Sequence, residues 1–542
     1  MTNLEPRIPY VHSTSEYPFR TRRARRCTKI KFHTIGALTW FSSVPSVSSG
    51  LQDLRLGFIA LAVLSACTVG PDYVRPTAQT PAAFKESQGW KTAQPRDQEL
   101  RGKWWEAYND PLLNELVEQV SVSNQNLAQA AAQFRQARAL VQSARAGYLP
   151  SLSAGASAAR SQSPSGFIGQ NQNVNARGPS TSYSVSLDAT WELDLWGRVR
   201  RTVESNNAGA QASAADLQAL RLTIEAELAQ DYFQLRALDT QKQLYDDTIA
   251  AYQRTLTLTQ NQYTAGIVAK VDVIQAQTQL KTTQANALDI GVQRAQLEHA
   301  IAALIGKPAS TFTLTAARLT ALPPPLPAGL PSGLLERRPD IAAAERRMAA
   351  ANAQIGVAKA AYYPSLTLSA SGGFQSSTLS NLLTVPSRFW SVGPDLAQAL
   401  FDGGLRRAQT DQAIAAYDAN VAGYRQTVLT GFKEVEDNLV ALRILEDEAA
   451  IQDEAVQNAR QSVLLTTNQY KAGIVSYLNV VLVQATALLN ERAAADIQNR
   501  RLAASVLLVK ALGGGWNASD LPTPDDLARG ASYPRDDAAQ MR

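Results

Sequence analysis

The feature that most constrains the fold is an internal repeat. Residues 261–268, NQYTAGIV, reappear with a single change at 468–475, and residues 147–152, GYLPSL, reappear as AYYPSL at 361–366. Both pairs are separated by a little over two hundred residues. A tandem duplication of this kind predicts two copies of one structural unit. The copies are joined by the proline-rich linker 322–332, which we expect to be extended and stiff.

Each copy contains a helical stretch of unusual length. Residues 198–263 contain no proline, residues 404–470 contain none either, and each stretch predicts a helix of about 100 Å. A sharp turn and a second long helix follow in both copies, at 268–305 and 475–512. Helices this long need neighbours to coil around. Apolar residues recurring at steps of three and four predict a coiled-coil seam, with an ordinary antiparallel bundle as the alternative: Val428, Phe432, Val435, Leu439, Leu442 and Leu445.

Two predicted hairpins interrupt these helices. Residues 183–195 alternate between apolar and polar without a fault, which predicts a strand with two unlike faces. Strands are predicted at about 150–160, 182–196, 364–374 and 388–400. About a dozen residues can cross an outer membrane when tilted. Aromatic residues at the strand ends suit an interfacial girdle: Tyr148, Trp191, Trp196, Tyr362, Tyr363, Phe389 and Trp390. The edge of a soluble sandwich is the alternative.

The number of strands decides the assembly. Four strands cannot close a membrane barrel, whose minimum is about eight. An open sheet edge in lipid would leave backbone groups unpaired. Two chains would give a barrel with a filled lumen, and three chains would give twelve strands and a passage. Transport through such a barrel therefore needs three or more chains, and three is the smallest number that works.

The N-terminal region predicts a lipid anchor. An apolar run at 56–66 has the length of a signal-peptide core and leads through small residues into Cys67. This order is that of a bacterial lipoprotein signal, in which the cysteine is acylated. A buried strand with an incidental cysteine is the alternative. Over fifty residues precede the apolar run, and the Arg22-Arg23 pair lies too early for a twin-arginine signal, so we expect translation to start near Leu51.

The remaining boundaries follow from these elements. Residues 1–66 form the signal region, and 67–110 form a lipidated extended segment. The first repeat is 111–321, beginning with a helix that runs from the Asp110 N-cap and Pro111 to about Gly147. The second repeat is 333–515, and the tail 516–542 is expected to be disordered.

The residues for enzymatic chemistry are scarce. Only His299 of the three histidines lies beyond the signal region, so neither a metal cluster nor a Ser–His–Asp arrangement is expected. Gly513 to Gly515 follow a helix instead of opening one, which indicates a C-cap and not a phosphate loop. No helix carries a basic stripe interleaved with aromatics, so nucleic-acid binding is not expected. No cofactor is predicted beyond the lipid on Cys67.

The chain resembles the TolC-like outer-membrane factors, and among them the NodT-type efflux lipoproteins. The matching motifs occur in the family's order from about residue 67 to 515: CTVGPDYVRP at 67–76, Trp104-Trp105, Asp110-Pro111-Leu112, WELDLWGR at 191–198, Arg338-Pro339-Asp340, Ala344-Glu345, FDGG at 401–404 and Glu434-Val435-Glu436. The resemblance implies an outer-membrane channel of a tripartite efflux pump that exports small molecules. It also implies a homotrimer sharing one 12-stranded β-barrel, continued by a long periplasmic α-helical coiled-coil barrel. The implied partners are a periplasmic adaptor protein and a proton-driven inner-membrane transporter of the RND type. Thr68 after the acylated cysteine implies sorting to the outer membrane.

The resemblance also assigns roles to the two helix-to-helix turns. In the family these turns form the closed periplasmic aperture and meet the adaptor, and they match Gly266, Gly473, Tyr263 and Tyr470 here. Family members hold the tips closed with polar links, and the matching pair is Tyr470 and Asp272. That Asp272 caps the following helix is an equal alternative.

The constriction just beyond the second tip departs from the family. Acidic residues often stand there, whereas this chain has Asn479 and Leu482, and Val475 replaces the arginine of some relatives. The constriction is therefore expected to be polar and apolar instead of anionic.

A duct for protein secretion and a non-channel, lipid-anchored periplasmic coiled-coil scaffold are the alternative functions.

Overall fold

The computed structural model describes residues 68–77, 80–81, 83–86, 102–162, 179–325 and 333–529. The signal region 1–66, Cys67, most of the loop between the first two strands and the middle of the proline-rich linker lie outside these residues. The predictions that fall on them stay predictions.

Two successive sets of helices and strands make up the described chain, as the duplication predicts. A short 3-10 helix, Trp104–Tyr108, precedes them. The first set is α1 (Pro111–Ser123), α2 (Gln125–Ala146), β1 (Ser151–Ser161), β2 (Ser180–Leu193), α3 (Arg198–Thr264) and α4 (Lys270–Leu304). The second set is α5 (Leu334–Arg337), α6 (Pro339–Ala360), β3 (Ser365–Ser376), β4 (Arg388–Ala397), α7 (Leu405–Lys471) and α8 (Tyr477–Ala511).

The prediction of one helix from Asp110 to Gly147 is wrong, because the helix is broken at Asn124. Asp110 does cap α1, accepting bonds from the amides of Leu112 at 3.1 Å and Leu113 at 3.2 Å. Asn124 then takes an extended conformation, and its side chain caps α2 by accepting from the Leu127 amide. The same side chain donates to the Leu304 carbonyl at 2.7 Å. The break therefore satisfies backbone groups at the ends of two helices with one residue.

The long helices have equal lengths in the two repeats. α3 and α7 each contain 67 residues, and α4 and α8 each contain 35. An aspartate just before each 67-residue helix caps it: Asp194 accepts from the amides of Val199 and Arg200, and Asp402 accepts from the amides of Gly404 and Arg406. A carboxylate at a helix N-terminus also interacts favourably with the positive end of the helix dipole. The two family motifs WELDLWGR and FDGG are therefore helix starts.

The predicted coiled-coil seam of α7 is buried. All six of its apolar residues are buried, and all but Leu445 belong to a core that α3, α7 and α8 share. The 3-10 helix Trp104–Tyr108 inserts into this core, where the Tyr108 ring lies 5.1 Å from the Phe233 ring. The Tyr108 hydroxyl also hydrogen-bonds the Ser505 hydroxyl at 2.8 Å. An N-terminal element thus locks helices of both repeats together.

The four strands form one antiparallel sheet in the order β1-β2-β3-β4, with β1 and β4 at its open edges. Residues directly opposite each other in such a sheet share a face. Leu187 stands opposite Ala154 and Gly372, whereas Asp188 stands opposite Ser153 and Ser371. One face is therefore apolar and the other is rich in hydroxyl groups, as the alternation of β2 predicts. The hydroxyl face bonds to itself, since Ser186 and Ser371 both donate to the Asp188 carboxylate.

The prediction of a disordered tail is wrong for the described part of that tail, which continues to Arg529. A short helix α9, Pro524–Ala528, follows the second repeat. Leu527 is 1% exposed and packs between Phe134 and Val141 of α2 and the α3 alanines Ala210 and Ala214. The polar composition of the segment predicts disorder. A single buried leucine and a few hydrogen bonds to backbone carbonyls are nevertheless enough to hold the segment in place. Gln142 donates to the carbonyls of Leu527 and Ala528.

We expect the substitution Leu527→Ala to lower the free energy of unfolding by about 2 kcal/mol, because it removes a buried side chain and leaves a cavity. Denaturant titration of the detergent-solubilised protein measures this. The control is Leu383→Ala, at a leucine that is 73% exposed, for which a change below about 0.5 kcal/mol is expected. Equal effects of the two substitutions would show that the tail does not stabilise the fold.

Candidate functional site

The two helix-to-helix turns at the tips have the same geometry. Gly266 has φ 76° and Gly473 has φ 75°, a left-handed conformation that favours glycine. The Ile267 amide donates to the Gln262 carbonyl at 2.8 Å, and the Ile474 amide donates to the Gln469 carbonyl at 2.9 Å. This bonding pattern is the Schellman motif, which ends a helix and reverses the chain. The repeated NQY-x-AGIV sequence is therefore a helix-terminating turn used twice.

Tyr470 links the tip of the second repeat to the tip of the first. Its hydroxyl donates to Gln262 Oε1 at 2.6 Å and lies 3.2 Å from the hydroxyl of Thr259. Both partners lie on α3, so these bonds join α7 to the other hairpin. Burial is the main cause of a raised pKa of Tyr470, so the phenol stays protonated and can donate.

The predicted link between Tyr470 and Asp272 is not formed. The Asp272 carboxylate instead accepts from the Ala269 amide at 3.3 Å, at the start of α4. Asp272 is therefore a helix cap, the alternative that the sequence left open. Its charge still acts on the tyrosine, since it contributes to the raised pKa of Tyr470.

A compact tyrosine cluster stands behind this link, and the sequence did not single it out. The Tyr470 and Tyr477 rings lie 5.7 Å apart, and Gln279 donates to the Tyr252 hydroxyl at 3.1 Å. All three tyrosines are buried with apolar residues of α3, α4 and α8. Burial raises the pKa of Tyr477 to about 12. Tyr477 lies four residues beyond Gly473, and that closeness to the turn was the signal available in the sequence.

The equivalent tyrosines of the two repeats differ in burial. Tyr470 is 4% exposed, whereas its counterpart Tyr263 is 45% exposed. The predicted constriction residues Asn479 and Leu482 are exposed in the single chain. The tips also present Ile267 and Ile474 to solvent. The first tip therefore supplies hydrogen-bond partners to the tyrosine of the second, and its own tyrosine lies at the surface.

Five of the predicted girdle aromatics meet where the sheet joins the helices. Trp191 donates to the Tyr148 carbonyl at 3.1 Å, and Trp196 stacks on Tyr363 with ring centroids 4.8 Å apart. Arg406 covers the ring of Tyr362. These five residues form a belt at one end of the sheet.

The girdle prediction is wrong for Phe389, which stands opposite Gly373 on the hydroxyl face of the sheet. Trp390 stands on the apolar face near the start of β4, opposite Gly372 and level with Leu187. Neighbouring residues of a strand point to opposite sides, so the two aromatics cannot both belong to a girdle on the apolar face. The place of Trp390 in a girdle stays a prediction.

The N-terminal segment, residues 68–86 as far as they are described, lies along the helices of both repeats. It starts at the belt, where the Val69 amide donates to the Trp196 carbonyl at 3.1 Å. Gly197 leaves space for this start, since a Cβ at that position would lie 3.1 Å from the Thr68 side chain. The segment ends on α7, where Glu436 accepts from the amides of Lys85 and Glu86.

Buried polar contacts hold the N-terminal segment between these ends. Asn352 donates to the Pro71 carbonyl at 3.0 Å, and the Tyr73 hydroxyl donates to Glu345 at 2.7 Å. Burial and the bond to Glu345 raise the pKa of Tyr73. Arg201 is buried and donates to Asp72 at 2.8 Å. These contacts along α6 and α3 fix the position of Thr68 relative to the sheet.

The described ranges contain no group of three His, Cys, Asp or Glu side chains placed to hold a metal ion. No helix within those ranges is both long and apolar enough to cross a membrane.

Comparison with known proteins gives consistent matches. The family described as outer membrane efflux protein matches residues 116–307 and 330–514, which together are more than half of the chain and fall one in each repeat. The toluene efflux pump outer membrane protein TtgF of Pseudomonas putida is 31% identical over 474 residues, covering 86% of this chain and 98% of the relative. The pyoverdine export outer membrane protein OpmQ of Pseudomonas aeruginosa is 33% identical over 420 residues, covering 77% and 88%.

The chain is also similar to solved structures of outer-membrane channels. The outer-membrane channel OprN is similar with a TM-score of 0.77 and 33% identity, covering 83% of this chain and 100% of that chain. The open state of the Neisseria gonorrhoeae MtrE outer membrane channel is similar with a TM-score of 0.72 and 28% identity, covering 84% and 100%. The mainly helical fold with a small sheet and an internal repeat is thus confirmed.

We expect Tyr470→Phe to speed hydrogen exchange of the backbone amides at both tips by about tenfold, because it removes the hydroxyl that joins α7 to α3. Tyr263→Phe, at the exposed counterpart in the first repeat, is the control and should leave exchange unchanged. Asp272→Ala should affect the first turn of α4 alone. If Asp272→Ala loosened both tips as much as Tyr470→Phe does, the link through Gln262 and Thr259 would be refuted.

Proposed function

The chain belongs to the outer membrane efflux protein family, and on that premise we propose that three copies close one 12-stranded barrel through the outer membrane. The protein is the outer-membrane channel of an efflux pump and works with the other parts of that pump; it is not an enzyme. The efflux relatives favour this function over a protein-secretion duct or a non-channel scaffold.

The observation that carries the trimer is the open sheet. Within the described part of the chain, β1 and β4 each have one unpaired edge. In lipid the free amides and carbonyls of such an edge would have no partner. Joining β4 of one copy to β1 of the next removes both edges. The apolar face agrees with a lipid surround, since Leu152, Leu187 and Val392 are all exposed on it. Three copies form the smallest barrel that leaves a passage.

The helices also carry apolar surface that a single chain leaves uncovered. Leu288 and Val292 on α4, and Ile444 and Ile451 on α7, are more than half exposed. These residues repeat at helical spacing on faces turned away from the buried core, so neighbouring copies would cover them in a closed helical barrel. The tips, with exposed Ile267 and Ile474, are the proposed contact for a periplasmic adaptor that connects to an RND-type transporter.

The relatives indicate the class of exported compound. Their names record toluene, antibiotic, solvent and pyoverdine export. We infer that this chain also exports small organic molecules, with the choice among them made by its inner-membrane transporter.

Lipid attachment at Cys67 is proposed from the position of the next residue. Thr68 lies against Gly197, directly beside the aromatic belt at the end of the sheet. Aromatic belts lie at the level of the lipid headgroups. Acyl chains on Cys67 would therefore start at the membrane surface and could insert without displacing the N-terminal segment.

The channel proposal is tested by deleting the gene and profiling susceptibility to solvents, antibiotics and siderophore-type compounds. Restored resistance from the plasmid-borne gene is expected, with a trimer in native mass spectrometry of the detergent-solubilised protein. A monomer that forms no conducting channel in planar bilayers would overturn the trimeric barrel, whatever the susceptibility profile shows.

The lipid proposal is tested by metabolic labelling with an alkyne fatty acid. Label should appear on the wild-type protein, disappear from Cys67→Ser, and remain on Cys27→Ser. Wild-type protein that takes up no label, or a Cys67→Ser variant that keeps it, would refute acylation at this residue.

A further inference from the structure

The hydroxyl face of the sheet consists of small or polar residues with one exception. β1 contributes Ser151, Ser153 and Ser157 to this face, and the register places β2 and β3 residues such as Ser184, Thr190 and Ser371 beside them. In a closed barrel the apolar face meets lipid, so the hydroxyl face lines the lumen. Within the four described strands, Phe389 is the one large apolar residue on that face.

The position of Phe389 follows from strand register and not from exposure alone. Phe389 stands opposite Gly373, and the next residue, Trp390, stands opposite Gly372. Trp390 is on the apolar face and is 76% exposed in the single chain, as a lipid-facing side chain would be. Because side chains alternate along a strand, Phe389 must point into the lumen if Trp390 points into lipid.

The row of residues that contains Phe389 is otherwise almost empty. Reading across the sheet, the row is Gly155, Ser186, Gly373 and Phe389. Gly373 cannot carry a side chain, since a Cβ there would lie 2.1 Å from the Val185 carbonyl oxygen. The close approach of β2 and β3 therefore keeps this level of the lumen wall bare, except for the phenyl ring. Three copies would place three rings at one level.

We propose that Phe389 forms an aromatic constriction in the outer part of the barrel lumen. This inference rests on the proposed trimeric barrel. A ring of phenyl groups in a lumen lined by hydroxyl groups narrows the passage, and it disfavours hydrated solutes while offering apolar solutes a surface to contact. Phe389 is thus a specificity-determining residue of the channel.

The orientation is tested by thiol labelling with a charged, membrane-impermeant reagent in intact cells. Phe389→Cys and Ser391→Cys should be labelled at similar rates, because both positions face the lumen. Trp390→Cys should react roughly a hundredfold more slowly, because a charged reagent must enter hydrocarbon to reach it. The chain has two cysteines of its own, so the unsubstituted protein is the blank. Faster labelling at position 390 than at 389 would overturn the inference.

The constriction is tested with a cysteine placed deeper in the lumen. Ser369 faces the lumen four residues from Gly373 toward the helices, about 13 Å along the strand. A bulky thiol reagent added outside the cell should label Ser369→Cys severalfold faster when Phe389→Ser is also present. Trp390→Ser is the matched control and should leave the rate unchanged.

The outcomes separate the two proposals. If Ser369→Cys is labelled by a small reagent, and Phe389→Ser does not speed labelling by the bulky reagent, the barrel stands and the constriction is refuted. If Ser369→Cys resists even the small charged reagent when Phe389→Ser is also present in a properly assembled protein, the lumen assignment of the hydroxyl face fails, and the proposed barrel fails with it. Because this access is measured from the outer side, the state of the helix tips does not affect the result.

Discussion

The pairing of backbone groups at the edges of one small sheet is the constraint on which the structure depends. Two edges of the sheet have no partner among the residues that the structure describes. In water such edges are solvated, but in hydrocarbon each unpaired amide or carbonyl costs several kcal/mol. A single chain is therefore an incomplete fold in the membrane, whatever the stability of its helices. The apolar outer face, the hydroxyl-rich inner face and the uncovered apolar positions on α4 and α7 are all consistent with completion by identical neighbours.

Duplication gives two similar arms, but packing has made their tips unlike. The same turn sequence ends both long helices, with nearly identical φ angles at Gly266 and Gly473. The tyrosines before the two turns nevertheless differ in solvent exposure, since Tyr470 is buried against the first arm and Tyr263 is at the surface. The Tyr470 hydroxyl bonds Gln262 across the two arms, and this contact covers the tyrosine of the second arm but not that of the first. Departure from the internal symmetry therefore marks the place where the arms meet.

The sequence was sufficient wherever structure depends on local periodicity. The long helices, the alternating strand β2 and the seam from Val428 to Leu445 follow from the spacing of apolar residues. It was insufficient wherever a contact between distant segments decides. Asn124 breaks a helix because it also bonds the end of α4, and Leu527 orders the tail because α2 and α3 leave a place for it. The partner of Tyr470 was misassigned for the same reason. Phe389 is different, since alternation alone forbids two adjacent residues from sharing a membrane face, and that rule was available from the sequence.

The equal lengths of the long helices in the two repeats have a further consequence for how such a chain can vary. With 67 and 35 residues in each arm, both turns come at the same distance from the sheet. Adding or removing residues in one helix would move its turn along the axis and rotate its apolar stripe by 100° per residue. A tolerated change in length must therefore add or remove residues in multiples of seven, and it must do so in all four long helices, α3, α4, α7 and α8. Gene duplication has tied the evolution of the two halves together, so that insertions should accumulate in the loops and hardly ever in the arms.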